Sequence, residues 1–447
     1  MFFSIKPEKD TTITDLNING VQKTGSNSGQ SEIVELYHVT SSLAGAGTSR
    51  ILMKFDLTEL SSLIVAGDIA SSSVEYRLHL KNAEHAQSIP SSFDVEVLPL
   101  TKDWDEGRGL SMQDEGLKDS GFANWTNAKS VTSWDSPGAD FSVATTGSQH
   151  FDFGTEDLNI DISNIVYGWL TGGVANHGLM IKLADAYETG SVDVSFKKFF
   201  SRHALVPSRR PKIGAYWKSC FQDDRSQFPY GVTGSLGYYR FIGGAPNNIA
   251  ETVYVDIIAS GSVVTQTLTA SMADEGVYEV SGAFFSPTPG TDTFRDVWFT
   301  ATDQLFTGTI TPVLATGSQS LSPDEISVNI PNLKPVYSGN EQVIVRVFAR
   351  PTDYRPPINR FGSIEPVPTL LRESFFQIEN AENGDVIVPF STGSIEFSKL
   401  SYDAEGNYFK VFTNSLPGDG VYKIKILADW NKKRYVFDKG WSITIRE

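Results

Sequence analysis

The feature that most constrains this chain is a hydrophobic period of two. Ser73-Val74-Glu75-Tyr76-Arg77-Leu78-His79-Leu80 alternates polar and apolar residues, as do Asp94-Val95-Glu96-Val97 and Ser191-Val192-Asp193-Val194-Ser195-Phe196. The alternation returns in Val343-Ile344-Val345-Arg346-Val347-Phe348 and Tyr422-Lys423-Ile424-Lys425-Ile426. Successive side chains of a strand point to opposite faces, so this pattern marks strands with one buried and one wet face. Short strands separated by Gly, Pro, Asn and Ser point to β-sandwiches. The expected fold class is all-β. One segment follows the helical period instead: Ile162, Ile165, Val166, Trp169 and Leu170 recur at i, i+3, i+4, i+7 and i+8. Asp161, Ser163 or Asn164 would cap this helix and Gly172-Gly173 would end it. A second short helix is expected over 58–64.

At ~150 residues per domain, 447 residues suggest three domains. Loop signals place boundaries in the polar stretch after Trp217 and in a Gly/Ser/Pro-containing linker near 315–323. The expected domains are 1–222, 223–318 and 319–447. The last two share an echo, Asp274-Glu275-Gly276-Val277-Tyr278 and Gly418-Asp419-Gly420-Val421-Tyr422. An acidic residue before Gly-Val-Tyr resembles the tyrosine corner of immunoglobulin-like sandwiches, whose phenol bonds back to the backbone just upstream. Tyr278 and Tyr422 are therefore read as structural, in two immunoglobulin-like sandwiches.

Charge and cysteine content narrow the function. The 37 basic against 53 acidic residues give a net charge of −16. Duplex binding needs basic clusters, so nucleic acid is not an expected partner. A lone cysteine, Cys220, forbids an intramolecular disulfide and has no evident activating histidine. The first residues show no basic segment leading into an apolar one, so no signal peptide is expected. No run approaches the ~18 apolar residues of a membrane helix, and no membrane insertion is expected.

No catalytic constellation emerges. The six histidines form neither H-x-x-x-H nor H-E-x-x-H, and no G-x-S-x-G or phosphate loop occurs. Asp15-Leu16-Asn17-Ile18-Asn19-Gly20 matches half an EF-hand loop, but Ser26 stands where a bidentate Glu is needed. It reads better as a strand entering an Asn-Gly hairpin. No cofactor is expected, and a structural calcium ion elsewhere in the first domain is left open. Trp104, Trp125 and Trp134 share a long, poorly periodic stretch, 103–138. They cap a core, contact a partner, or stack on a glycan. The Pro/Arg-rich stretch 350–368 reads as a docking arm, with Arg350, Tyr354, Arg355, Arg360 and Phe361 as its contact residues.

The first domain resembles the DNRLRE modules, jelly rolls related to carbohydrate-binding modules. Arg50-Ile51-Leu52-Met53-Lys54-Phe55-Asp56-Leu57 is similar to that family's R-x-L-L-x-F-D-L strand, and Val74–Leu80 to its A-x-L-x-L strand. Trp104-Asp105-Glu106-Gly107 is similar to its W-x-E-G turn. The 160–170 helix region, Asn176-His177-Gly178-Leu179-Met180-Ile181-Lys182 and Phe200-Ser201-Arg202 with Arg210-Pro211-Lys212-Ile213 follow in the family's order. His203 stands where the family has Glu. The resemblance implies a jelly roll with one short helix ahead of the two immunoglobulin-like sandwiches. Such modules made without a signal resemble the structural proteins of tailed-bacteriophage virions. The expectation is a non-enzymatic virion component of neck, tail, baseplate or capsid surface, made in the host cytoplasm and present in multiple copies against other virion proteins. The alternative is an adhesin that binds host glycans through the tryptophan loop.

Overall fold

A computed structural model of the chain describes residues 1–40, 46–69, 73–86, 89–110, 122–191, 193–259, 263–283, 294–313, 326–352, 368–430 and 433–446. Apart from three short α-helices and three 3₁₀ turns, the regular elements among these residues are β-strands. The all-β expectation holds. The chain forms two compact units: Phe3–Val65 with Ser71–Tyr216, and Met1–Phe2 with Ala66–Ala70 and Trp217–Glu447. The first ends at Tyr216, slightly ahead of the expected boundary at 222. The second contains both later sandwiches, and the expected 318/319 boundary lies outside the described residues.

The first unit is an antiparallel sandwich. One sheet runs Phe2–Ile5, Lys212–Tyr216, Glu75–Leu80, Leu158–Asp161. The other runs Gly147–Phe151, Phe93–Pro99, Leu179–Leu183, Gly47–Phe55, Ile33–Val39, Val194–Phe200, with Pro7–Thr14 also paired to Gly47–Phe55. The chain crosses repeatedly between the sheets, from Gly47–Phe55 to Glu75–Leu80 and back to Phe93–Pro99, as in a jelly roll. Glu75–Leu80 keeps the expected alternation, with Tyr76, Leu78 and Leu80 buried. Leu179–Leu183 does not: all five residues are buried, because both faces of this central strand are covered.

The helix at 163–170 forms where its period placed it. Asp161 Oδ1 accepts from the Ser163 N–H at 2.9 Å and from its hydroxyl at 2.6 Å. Ile165, Val166 and Trp169 are buried, and Gly172 leaves the helix at φ 72°. The helix Thr58–Ala66 starts the same way on Asp56 and buries Leu60. The third helix, Asp185–Glu188, is a single turn and too short to give a periodic signal. Asn19 and Gly20 take φ 52° and 82° between the paired strands Asn17–Ile18 and Val21–Gln22, a primed hairpin turn.

A buried amine gives this unit an unusual pH response. Lys197 is 1% exposed, and its Nζ donates to Asn82 Oδ1 at 2.6 Å and to the Gly154 and Glu156 carbonyls at 2.8 Å. Burial lowers its pKa to about 8. Burial also lowers Lys9. Between pH 8 and 9 Lys197 then binds fewer protons in the folded chain than in the unfolded one, so its burial makes stability rise with pH in that window. The slope is at most about 1.4 kcal/mol per pH unit for Lys197. Urea unfolding from pH 7.5 to 9 checks this, below the range where the buried Tyr37, Tyr76 and Tyr216, raised in the folded state, oppose it. A flat or falling profile, or the same slope in Lys197→Met, contradicts it.

The second unit contains two sandwiches. In the first, a three-stranded sheet (Gly234–Tyr239, Val277–Ala283, Ser271–Asp274) accompanies a four-stranded one (Val263–Thr269, Tyr254–Ala259, Phe294–Phe299, Gln304–Ile310). Its core centres on Trp298 with Leu236, Val255 and Ile257, all fully buried. In the second, a four-stranded sheet (Ile326–Asn329, Gln342–Pro351, Gly406–Phe412, Ser401–Asp403) accompanies a six-stranded one built around Gly420–Trp430. Phe376 and Phe409 stack there at 4.2 Å. Both are immunoglobulin-like β-sandwiches.

Tyr422 makes the expected corner: its hydroxyl donates to the Pro417 carbonyl at 2.7 Å. Tyr278 does not. Its hydroxyl accepts from the Ile249 N–H at 2.6 Å, far upstream in sequence, so the echo repeats the residues but not the bond. The connection holding Ile249 returns alongside Tyr278 and supplies a nearer partner. Tyr278→Phe and Tyr422→Phe should each cost about 0.5–1.5 kcal/mol. Hydrogen exchange at the Ile249 amide should quicken only in Tyr278→Phe. Equal protection in both variants would contradict the assignment.

Candidate functional site

The three tryptophans are brought together, but as a lid on the sheet. Trp104 is fully buried and Trp134 is 5% exposed, packed with Leu52, Leu98 and Met180. Trp104 Nε1 donates to the His177 carbonyl at 3.0 Å, and Trp134 Nε1 to the Asn124 carbonyl at 2.8 Å. Neither offers a ring face, which corrects the expectation of glycan or partner contact for these two. Trp125 is half-buried, with the Arg50 guanidinium 5.2 Å from its ring centre. That guanidinium is itself held by Glu188, at 2.7 Å, and by the Gly138 carbonyl, at 2.7 Å. The described part of the 103–138 stretch therefore buries one sheet face, which is why Leu179–Leu183 has no wet side.

The turn at 104–107 also meets the closing segment. Arg202 Nε and Nη2 donate to Glu106 Oε1 and Oε2 at 2.7 and 2.5 Å. A Cβ on Gly107 would lie about 2 Å from the Asn27 amide, which the Ala123 carbonyl and the Gly109 N–H hold, so a larger residue there must displace Asn27.

The docking arm is only partly visible. Arg350 is exposed on the strand Gln342–Pro351, opposite Ser327. Tyr354, Arg355, Arg360 and Phe361 lie outside the described residues.

The most developed site lies in the second unit, where its two sandwiches meet. The polar stretch after Trp217, read from sequence as a linker, is buried: Asp223 is 3% and Asp224 2% exposed. Phe221 and Asp223 bond along Ser401–Asp403 of the last sandwich, through Tyr402 N–H to Phe221 O at 2.9 Å and Asp223 N–H to Tyr402 O at 3.1 Å. Asp224 then turns to the other sandwich. Its N–H donates to Ser235 O at 2.9 Å, and its Oδ2 accepts from the Ser235 N–H at 2.8 Å. Arg225 closes the clasp with Asp223 at 2.8 Å, Asp296 at 2.6 Å and the Gly237 carbonyl at 2.5 Å. Asp296, fully buried, also accepts from Trp298 Nε1 at 2.7 Å. Across the junction, Asp224 Oδ1 takes Arg372 at 2.8 Å and the Tyr402 hydroxyl at 3.1 Å. Sequence reasoning missed Asp296, Arg372 and Tyr402, because nothing local links them to residues 223–225.

A cleft of about 880 Å³ opens over this clasp. Arg346 is paired with Asp403 at 2.7 Å on one wall, and Lys410 pairs with Asp274 across to the other sandwich. Burial pushes Asp223 up to about 6, Tyr408 up to about 12 and the Cys220 thiol upward. A thiol raised in this way is a poor nucleophile. The cleft is of mixed character: exposed Phe241, Met272 and Ile344 line it together with charged residues such as Lys218, Glu275 and Glu405. Phe241 and Ile242 sit on a two-stranded hairpin closed by Gly243-Gly244, both at positive φ.

No known family model matches the chain, and no curated protein matches it. Solved structures are similar to it only at low identity and low TM-score. The N-terminal Ig1-2 module of the Drosophila receptor protein tyrosine phosphatase DLAR is 9% identical, with 51% of this chain and 95% of that one covered and a TM-score of 0.17. The adhesin domain of Epf from Streptococcus pyogenes is 10% identical, covering 70% of this chain and 92% of that one, with a TM-score of 0.17. The BSP domain of a biofilm associated protein is 10% identical, covering 100% of this chain and 90% of that one, with a TM-score of 0.20.

Proposed function

We propose that this chain is a non-enzymatic structural protein of a bacteriophage virion, a neck, tail, baseplate or capsid-surface component acting through protein–protein contacts. The observation that carries the reading is the Asp223–Arg225 clasp. It joins two immunoglobulin-like sandwiches in one compact unit beneath a cleft lined by both apolar and charged residues. A rigid block with exposed Phe241, Ile242 and Met272 is suited to seat on neighbouring proteins. Copies on a symmetric particle would multiply weak contacts into firm attachment. The array of a jelly roll followed by two immunoglobulin-like sandwiches resembles virion accessory proteins by fold-level analogy alone. Burial of Trp104 and Trp134 weighs against the glycan-binding adhesin.

Density-gradient purification of particles from the producing culture, with quantitative mass spectrometry, tests this. The chain should band with particles at a fixed copy ratio through high-salt washing. Recovery with cell envelopes alone, or saturable binding to host polysaccharide lost in Trp125→Ala, would overturn it.

A further inference from the structure

Asp10 lies on the strand Pro7–Thr14 of the first unit and is fully buried. Its Oδ2 accepts from the Arg202 N–H at 2.6 Å, but its Oδ1, also buried, has no hydrogen-bond partner among the described residues. An unpaired buried carboxylate oxygen is expensive and calls for a cation or a proton donor. A second unpartnered atom is close by. His203 Nε2 is buried without a partner among the described residues, while the Gly29 backbone hydrogen-bonds the same imidazole. With Nε2 free, that bond falls on Nδ1, which then donates to the Gly29 carbonyl and leaves a lone pair at Nε2. A backbone carbonyl fixing Nδ1–H is how proteins orient a metal-ligating histidine.

Glu106 completes the group. One ligand atom from each of Asp10, Glu106 and His203 lies within 4.8 Å of the other two. Glu106 Oε1 accepts from the Asp10 N–H at 2.9 Å and from Arg202 Nε, and among the described residues Oε2 accepts from Arg202 Nη2. Oε2 therefore keeps a lone pair.

We infer that Asp10, Glu106 and His203 form a structural site for a divalent transition cation of the zinc class, bound through His203 Nε2 and one oxygen from each carboxylate. An imidazole nitrogen with carboxylates suits zinc-like ions, whereas an all-oxygen shell suits calcium or magnesium. The ion would tie the strand Pro7–Thr14, the turn at 104–107 and the segment 201–203, which are remote in sequence.

The test uses the full chain stripped of metal by chelator. Cobalt(II) should bind at one equivalent with visible d–d bands, and zinc should displace it. The thermal midpoint should rise on the order of 5–10 °C at zinc 100-fold above Kd. His203→Gln and Asp10→Asn should each weaken cobalt binding at least ten-fold. His150→Gln, on the exposed His150–Asp94 pair, should leave it unchanged. If Asp10→Asn fails to fold, His203→Gln with native circular dichroism decides. The inference is overturned by absent cobalt bands, by saturation with calcium but not zinc, or by equal binding in His203→Gln.

Discussion

Replacing Arg225 with Met should destabilise the second unit by about 3–5 kcal/mol, since it leaves buried carboxylates without their counter-ion. Arg225 contacts Asp223 and the fully buried Asp296, and it also fills the Gly237 carbonyl. Methionine supplies similar volume but none of these bonds. At about 2–4 °C per kcal/mol, the transition of this unit should move down roughly 6–20 °C. Arg225→Lys should fall between, because one ammonium cannot reproduce a fork shared by two carboxylates. The first unit's transition should stay in place. A loss under about 1 kcal/mol would mean that the clasp is a solvated surface pair, contrary to its burial.

Trp104→Ala should cost the first unit about 3–5 kcal/mol. The ring is fully buried over the sheet, with Lys9 Nζ 4.7 Å from its centre, and its indole N–H satisfies the His177 carbonyl. Alanine leaves a cavity and an unpaired acceptor together. Trp125→Ala should cost clearly less, since Trp125 is half-buried and rests chiefly on Arg50. Chemical denaturation of both variants compares them. Equal and small losses would show the loop lifted from the sheet in solution, and would return both rings to the list of binding candidates.

These sites also show what the chain discloses without coordinates. Glu75–Leu80 was legible because one face is wet, and Ser163–Leu170 because its apolar stripe is regular. Leu179–Leu183 could not alternate, since the tryptophan stretch covers its second face, and an aromatic in an irregular stretch carries no mark of which way it faces. Asp223-Asp224-Arg225 read as a solvated linker because charges are seldom buried unless paired. The partners Asp296 and Arg372 come from distant strands, so only folding reveals the pairing. Asp10, Glu106 and His203 are scattered in the same way. The Gly-Val-Tyr echo was legible as residues, yet Tyr278 and Tyr422 bond differently, because the acceptor or donor is set by whichever connection passes nearby.

The most direct measurement of the central claim is immunogold electron microscopy of particles and cell debris from the producing culture, with antibody against the second unit. The account predicts gold at one fixed position on particles, at neck, tail, baseplate or capsid surface. Gold confined to cell envelopes or shed material, with bare particles, would contradict it.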